Sequence, residues 1–334
     1  MLRVLRNGLL AGILGVVLLS CQVPIHRQTR FSMSTTLTVL VSAARDPDWQ
    51  GLFDFVDRKA WQFDHRQEGS PISRLNRDRG GNPPEEVLRV LAIAQSVAGA
   101  SGGAFDPTIL PLTRLWSFDT GGVLPAEQQI EHTRRQVDYS KAVLAGDGTV
   151  TLAEEAVIDL GGIAKGAVVD LIADHLDGLG YEDFLIDAGG DILVSGLKQG
   201  RNPWRIAIRH PRDSQAVLGV LDVGEKGSRI AVVTSGDYER YFESDGRRYH
   251  HILDPRSGYP AGELVSVTII APECTLADAL STAVFVLGPG EGMDLLAKYP
   301  GSEGLLIAER EGKLIAWKTS GFPGELDALD YVTK

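Results

Sequence analysis

Asp159-Leu-Gly-Gly-Ile-Ala-Lys-Gly166 runs a short apolar segment into two glycines and then a helical pattern with a lysine in its first turn. Glycines there let backbone approach a ligand closely, and N–H groups at a helix start suit an anion such as pyrophosphate, beside which Lys165 adds positive charge. The spacing and the missing Lys-Ser/Thr end exclude a Walker A loop. A tight turn with a solvated lysine is the plainer alternative. Asp278-Ala-Leu-Ser-Thr282 places Asp278, Ser281 and Thr282 at i, i+3 and i+4, on one helical face. Hard oxygens clustered in this way suit magnesium, which shares phosphate oxygens with a substrate. A carboxylate favoured by the helix dipole is the alternative. In Tyr249-His-His-Ile-Leu-Asp-Pro-Arg-Ser-Gly258 two histidines precede a turn. On a strand they point to opposite faces, so at most one serves a given pocket, where it could relay a proton.

Elements that must position these residues follow from periodicity and punctuation. Strands are predicted at Ser34–Ser42, Ala156–Leu160, Asp183–Ile186, Ile192–Val194, Arg205–Arg209, Ala216–Val223, Ile230–Thr234, Tyr249–Leu253, Ser266–Ile270, Gly304–Ala308 and Leu314–Lys318. Helices are predicted at Trp49–Phe63, Glu85–Ser101, Ala126–Arg135, Lys165–Leu179, Thr275–Leu287 and Glu291–Lys298, and a hairpin turns at Gly146-Asp147-Gly148. Gly189-Gly190 lies between two apolar strands, as a sharp bend requires. No repeat or long linker interrupts the pattern. The fold class is α+β, a single domain of twisted, largely antiparallel sheets covered by helices.

The 334 residues carry a net charge of −11, with no basic run, which argues against a nucleic-acid partner. Arg3 and Arg6 precede an unbroken apolar stretch from Gly8 to Leu19, too short to span a bilayer comfortably and typical of an export signal. Leu18-Leu19-Ser20-Cys21 resembles a bacterial lipoprotein cleavage box. The chain therefore divides into a signal peptide at 1–20, a tether at 21–30 and a folded domain at 31–334. The only other cysteine is Cys274, so a disulfide scaffold is excluded.

Ile72-Ser-Arg-Leu-Asn76, Ala104-Phe-Asp-Pro-Thr108, Asp159 to Gly166, Thr234-Ser-Gly236, His251-Ile-Leu-Asp-Pro255 and Ala277-Asp278, in this order, resemble the ApbE family, the FAD:protein FMN transferases. The resemblance implies an ApbE-like, T-fold-related domain that moves FMN from FAD to a Thr or Ser hydroxyl of a target protein and releases AMP. It implies a Mg2+ site of Asp278, Thr282 and the Gly162 carbonyl, and FAD contacts at Met33, Ala104, Phe105, Asp106, Asp159, Lys165 and Leu253. His251 matches the family's His-x-x-Asp-Pro histidine and is the first candidate for the base, with Asp254 or Asp159 as the alternatives. Ser281 and Arg66 depart from the acidic and tyrosine residues of some members. The implied partners are flavin-accepting subunits of membrane redox complexes. A Mg2+-dependent FAD pyrophosphatase and a non-catalytic flavin-binding lipoprotein are the alternatives.

Export and lipidation make a direct expectation: a lipoprotein held on the periplasmic side of a bacterial membrane through Cys21. Cys21→Ala should leave catalysis unchanged and move the protein from the membrane to the soluble fraction on cell fractionation. Continued membrane association would point to an uncleaved anchor.

Overall fold

The computed structural model describes residues 23–332 except 325, 327 and 328, so the signal segment and Cys21 lie outside the described residues. Leu37, Val39 and Val41 alternate along β2 (Thr35–Ser42) and are fully buried, as a strand with one core face requires. β1 (Ile25–Ser32) pairs antiparallel with β2 along its whole length. The tether expected over 21–30 is therefore strand from Ile25 onward. β1 is a sheet edge with largely exposed side chains, so its sequence needs no apolar alternation to pair.

The chain continues through α1 (Trp49–Phe63), α2 (Pro71–Asp78), β3 (Gly80–Gly81), α3 (Glu85–Ala100), α4 (Leu110–Trp116), α5 (Glu127–Arg134), β4 (Ala142–Leu144), β5 (Val150–Leu152) and α6 (Ala164–Gly178). Then come β6 (Phe184–Ala188), β7 (Asp191–Ser195), β8 (Trp204–Arg209), β9 (Val217–Val223), β10 (Arg229–Gly236), β11 (Tyr241–Ser244), β12 (Arg247–His250) and β13 (Ser266–Ala271). The last elements are α7 (Cys274–Leu296), β14 (Glu303–Arg310), β15 (Lys313–Lys318) and β16 (Asp330–Tyr331). A nine-stranded sheet runs in the order β1-β2-β6-β7-β10-β13-β14-β15-β16, antiparallel except for the β15–β16 pair. This is the α+β, largely antiparallel class read from the sequence.

One face of the sheet is covered by helices α1, α3, α6 and α7 over the main core. The other face is covered by the β8–β9 hairpin, whose Trp204, Ile206 and Ile208 alternate inward against Val194, Val232 and Ile307. A third cluster, centred on Trp116, joins α4 and α5 to the β11–β12 hairpin.

Two local expectations change. Ala156–Leu160 belongs to no strand. Asn76 of α2 takes the place of a neighbouring strand: its Nδ2 donates to the Ile158 carbonyl at 2.9 Å and its Oδ1 accepts from the Ile158 N–H at 2.6 Å. The strand predicted over Tyr249–Leu253 ends at His250, since β12 pairs only with the four residues of β11. The two helices predicted on either side of residue 288 are both present; they are labelled together as α7 and are separated by a kink where Gly288 takes φ 78° before Pro289, whose ring disfavours αR backbone in the residue before it.

The helices that matter most for the site, α6 and α7, touch at Gly166. A Cβ there would meet the Cys274 carbonyl and stand 2.9 Å from the Asp278 Cβ. Asp170 of α6 caps α7 across this contact, accepting from the Cys274 N–H at 2.9 Å, the Thr275 N–H at 2.8 Å and the Thr275 hydroxyl. Glu273, at the cap position itself, makes no side-chain cap bond. Asp170→Ala should lower stability by roughly 2 kcal/mol, read as a lower urea midpoint at unchanged slope, with Asp170→Asn losing less.

Candidate active site

The candidate residues gather at one end of the sheet. The β1–β2 turn, with Met33 and Ser34 at φ 52° and 61°, lies beside the β6–β7 turn, where Gly189 abuts the Thr35 side chain. The β6–β7 turn is held by Asp187, whose Oδ1 accepts from the Gly190 N–H at 3.0 Å. It delivers Asp191 at the start of β7, opposite Val233 of β10. Over this end sit the first turns of α6 and α7.

Lys165 connects them. Its Nζ donates to Asp191 Oδ1 at 2.7 Å and stands 3.8 Å from Asp278 Oδ1. Asp278 Oδ2 accepts from the Gly166 N–H at 3.1 Å. Burial pulls the Lys165 pKa down, but the charges of Asp191 and then Asp278 outweigh it, so the group is raised and stays an ammonium. Burial, then the Asp278 charge, push the Asp191 carboxyl well up against the opposing pull of Lys165. Its Oδ2 is buried without a hydrogen-bond partner among the described residues.

Gly162 lies against Thr282: a Cβ on it would be 3.3 Å from Phe105 Cε2 and 3.5 Å from Thr282 Oγ1. Glycine at 162 thus serves close approach rather than an unusual φ. Gly162 packs against Thr282, and Asp278 lies one turn before Thr282 on α7, so the three residues implied as magnesium ligands are neighbours. That all-oxygen set, next to an unsatisfied buried carboxylate oxygen, fits a magnesium ion that completes its shell with phosphate oxygens and water.

Sequence and structure comparisons identify the family. The ApbE family model matches residues 33–306. The chain belongs to the ApbE family. It is 32% identical over 304 residues to the FAD:protein FMN transferase of Vibrio cholerae, covering 86% of this chain and 90% of that one. It is 37% identical over 277 residues to that of Treponema pallidum, covering 77% and 75%. Among solved structures, the ApbE protein of Thermotoga maritima superposes with a TM-score of 0.78 at 32% identity, covering 87% of this chain and 96% of that one. The flavin transferase ApbE of Vibrio cholerae superposes with a TM-score of 0.77 at 30% identity, covering 90% and 99%. The chain is a transferase of this family.

Several ApbE-family positions do structural work that their sequence did not announce. Both Asp106 oxygens are spent inside the protein: Oδ1 accepts from the Thr108 N–H and hydroxyl, each at 2.7 Å, and Oδ2 from the Tyr139 N–H at 2.8 Å. Ala104 and Phe105 are buried in the main core, and Leu253 is buried in the Trp116 cluster. Ser281 does not share a cation face with Asp278 and Thr282. Its hydroxyl donates to the Asp278 carbonyl at 2.9 Å and accepts from Ser235 of β10 at 2.8 Å. Four of the amides around the start of α6 are engaged inside the protein. Gly161 donates to Asp159 Oδ1, Ile163 and Ala164 to the Leu160 carbonyl, and Gly166 to Asp278.

Around the site, several residues find partners that the sequence did not indicate. His65 Nδ1 is 3.6 Å from Asp159 Oδ1. Asp119 binds Arg240 at 2.8 Å and stands 3.8 Å from Arg66. Arg240 also offers its carbonyl to His251, 3.0 Å from the backbone N and 3.3 Å from Nδ1. That contact assigns the proton to Nδ1 and leaves Nε2 as the acceptor. His250 instead turns inward, its Nε2 donating to the Ala261 carbonyl at 2.8 Å.

Burial first, then the Arg240 charge, depress the His251 pKa from 6.5 to about 3, so the ring is neutral at pH 7. The unfolded chain takes up this proton below pH 6.5 and the folded chain resists until about pH 3, so stability is lost as pH falls through that window. Thermal melts between pH 7 and 4 should show a shallower decline for His251→Gln than for the unsubstituted protein. Identical slopes would refute the assignment.

Proposed function

We propose that this chain transfers the FMN half of FAD to a Thr or Ser hydroxyl of another protein and releases AMP, with Mg2+ as cofactor. The observation that carries the reading is the oxygen set of Asp278, Thr282 and Gly162 beside the Lys165 ammonium, in a chain whose relatives are named FAD:protein FMN transferases. The acceptor oxygen forms a bond to the FMN-side phosphorus as the pyrophosphate P–O bond breaks, and AMP leaves with the bridging oxygen. Such transfers depend mostly on positioning and on charge neutralisation over phosphate oxygens. Mg2+ held by Asp278, Thr282 and the Gly162 carbonyl would neutralise that charge and orient the pyrophosphate.

The chain's own residues do the rest. Lys165 pairs with a phosphate oxygen from its place against Asp191. His251 accepts the hydroxyl proton through Nε2. Its basicity is low in the protein alone and rises when pyrophosphate brings negative charge nearby. Asp159 and Met33 contact the dinucleotide at the mouth. Residues 104–106 do so through backbone, because the Asp106 carboxylate is occupied, and Leu253 likewise, because its side chain is buried. Delivery to flavin-accepting subunits of membrane redox complexes fits an exported protein tethered through Cys21. Among the described residues no helix is long and apolar enough to cross a membrane.

Incubation with FAD, Mg2+ and an acceptor protein should yield FMN covalently on the acceptor and one AMP for each FMN attached. Free FMN with AMP would identify a pyrophosphatase, and bound FAD without AMP a carrier. Asp278→Ala should lower turnover at least about 100-fold with the circular dichroism spectrum retained. Full activity in that variant would sink the metal assignment.

A further inference from the structure

The end of the sheet opposite the site is where the chain leaves toward Cys21, and it is tied down from Val23 onward. The Val23 carbonyl accepts from Gln199 Nε2 at 2.9 Å, and the Pro24 carbonyl from the Ala43 N–H at 3.1 Å. His26 Nε2 donates to the Ala43 carbonyl at 3.0 Å, and β1 then pairs with β2 as far as Ser32. Only Gln22 separates Cys21 from Val23. Two residue steps reach at most about 7 Å. An acylated Cys21 therefore holds this end of the sheet against the bilayer surface.

The same end carries a surplus of positive charge in a chain whose net charge is −11. Gln199, which holds Val23, lies in a tight turn closed by the Lys198 N–H on the Asn202 carbonyl at 2.7 Å. Lys198 and Arg201 of that turn are exposed, as are Arg45 and Lys226 nearby in the fold, and none has an ion pair among the described residues. Glu182 and Glu225 are the exposed acids there in the same position, whereas Asp183 is spent on the Leu197 N–H and Asp46 on the Trp49 Nε1–H. Helix α6 runs away from the site and ends here on Leu179, which is 58% exposed.

We propose that this end of the sheet seats on the phospholipid headgroups of the membrane that holds Cys21, with Lys198 and Arg201 against their phosphates, and that the site faces away from it. Strand β1 is the spacer: its eight residues set the Met33 turn roughly 25 Å beyond the exit of the chain. The site therefore meets acceptor hydroxyls that stand well above the bilayer rather than at its surface. That height exceeds the screening length of about 8 Å in physiological salt, so anionic headgroups do not repel the pyrophosphate. This seating rests on the lipid tether at Cys21 and not on the flavin chemistry, and its test uses no flavin.

The competing arrangement is a domain lying on its β1 edge, with Phe31, 73% exposed at the site end of β1, in the lipid. Quenching of a fluorophore by headgroup-labelled lipid separates the two, with the acylated protein in vesicles of phosphatidylethanolamine and phosphatidylglycerol. Leu179→Cys labels the end near the exit of the chain and Phe31→Cys the site end, while the buried Cys274 stays unlabelled. Quenching at position 179 should exceed that at position 31 severalfold. Adding Lys198→Glu and Arg201→Glu together should shrink this contrast while co-flotation with vesicles persists. Equal quenching at the two positions, stronger quenching at 31, or a contrast unchanged by the charge reversal would overturn the seating. Failure of the unsubstituted protein to co-float would overturn the lipid tether and the seating with it, while leaving FMN transfer in solution unaffected.

Discussion

The close contact of α6 with α7 at Gly166 is the constraint on which the site depends. Any side chain at that position would collide with the Cys274 carbonyl and crowd Asp278. With glycine there, the Gly166 N–H reaches the Asp278 carboxylate, and Asp170, one turn along, reaches the first amides of α7. The two helices are thereby fixed in rotation and in register. Lys165 precedes Gly166 by one residue, so the same contact aims its ammonium at Asp191 and Asp278. A slip of either helix would separate the charge cluster from the Gly162–Thr282 approach.

The electrostatics of the site come from burial rather than from numbers of charges. Asp191 is nearly inaccessible, and burial with the Asp278 charge pushes its carboxyl well up against the opposing pull of the Lys165 ammonium. The rim pairs linking Arg66, Asp119 and Arg240 are half-exposed and screened, so they contribute little stability. Their value is geometric: they tie the loop after α1 and the loop after α4 to the segment whose Arg240 carbonyl fixes the His251 tautomer.

Several motifs that read as ligand-binding are partly scaffold. Asn76 replaces a missing strand beside Ile158, and Asp106 ties its loop to Thr108 and Tyr139. The Ser257-Gly258 turn is pinned by Trp116, whose Nε1 donates to the Gly258 carbonyl at 2.9 Å. Each brings a segment distant in sequence to the end of the sheet where α6 and α7 begin. Scaffold and site are therefore built from the same short motifs.

Local chemistry made much of this legible from sequence. Apolar periodicity located most strands and helices, glycine pairs marked the β6–β7 turn and the approach to α6, and the Asp278/Thr282 spacing identified an oxygen-bearing helix face. Those signals depend on neighbours within one or two turns, which a sequence contains. Edge strand β1 escaped because its pairing uses backbone groups and its side chains are mostly solvated. Roles that depend on distant partners were decided only by the tertiary structure. Asp191 meets Lys165 across 26 residues, Ser235 removes Ser281 from the cation face across 46, and Asp170 caps α7 from across 104. Residue type states what a side chain can bind; only the packing of α6 and α7 on the sheet determines what it finds.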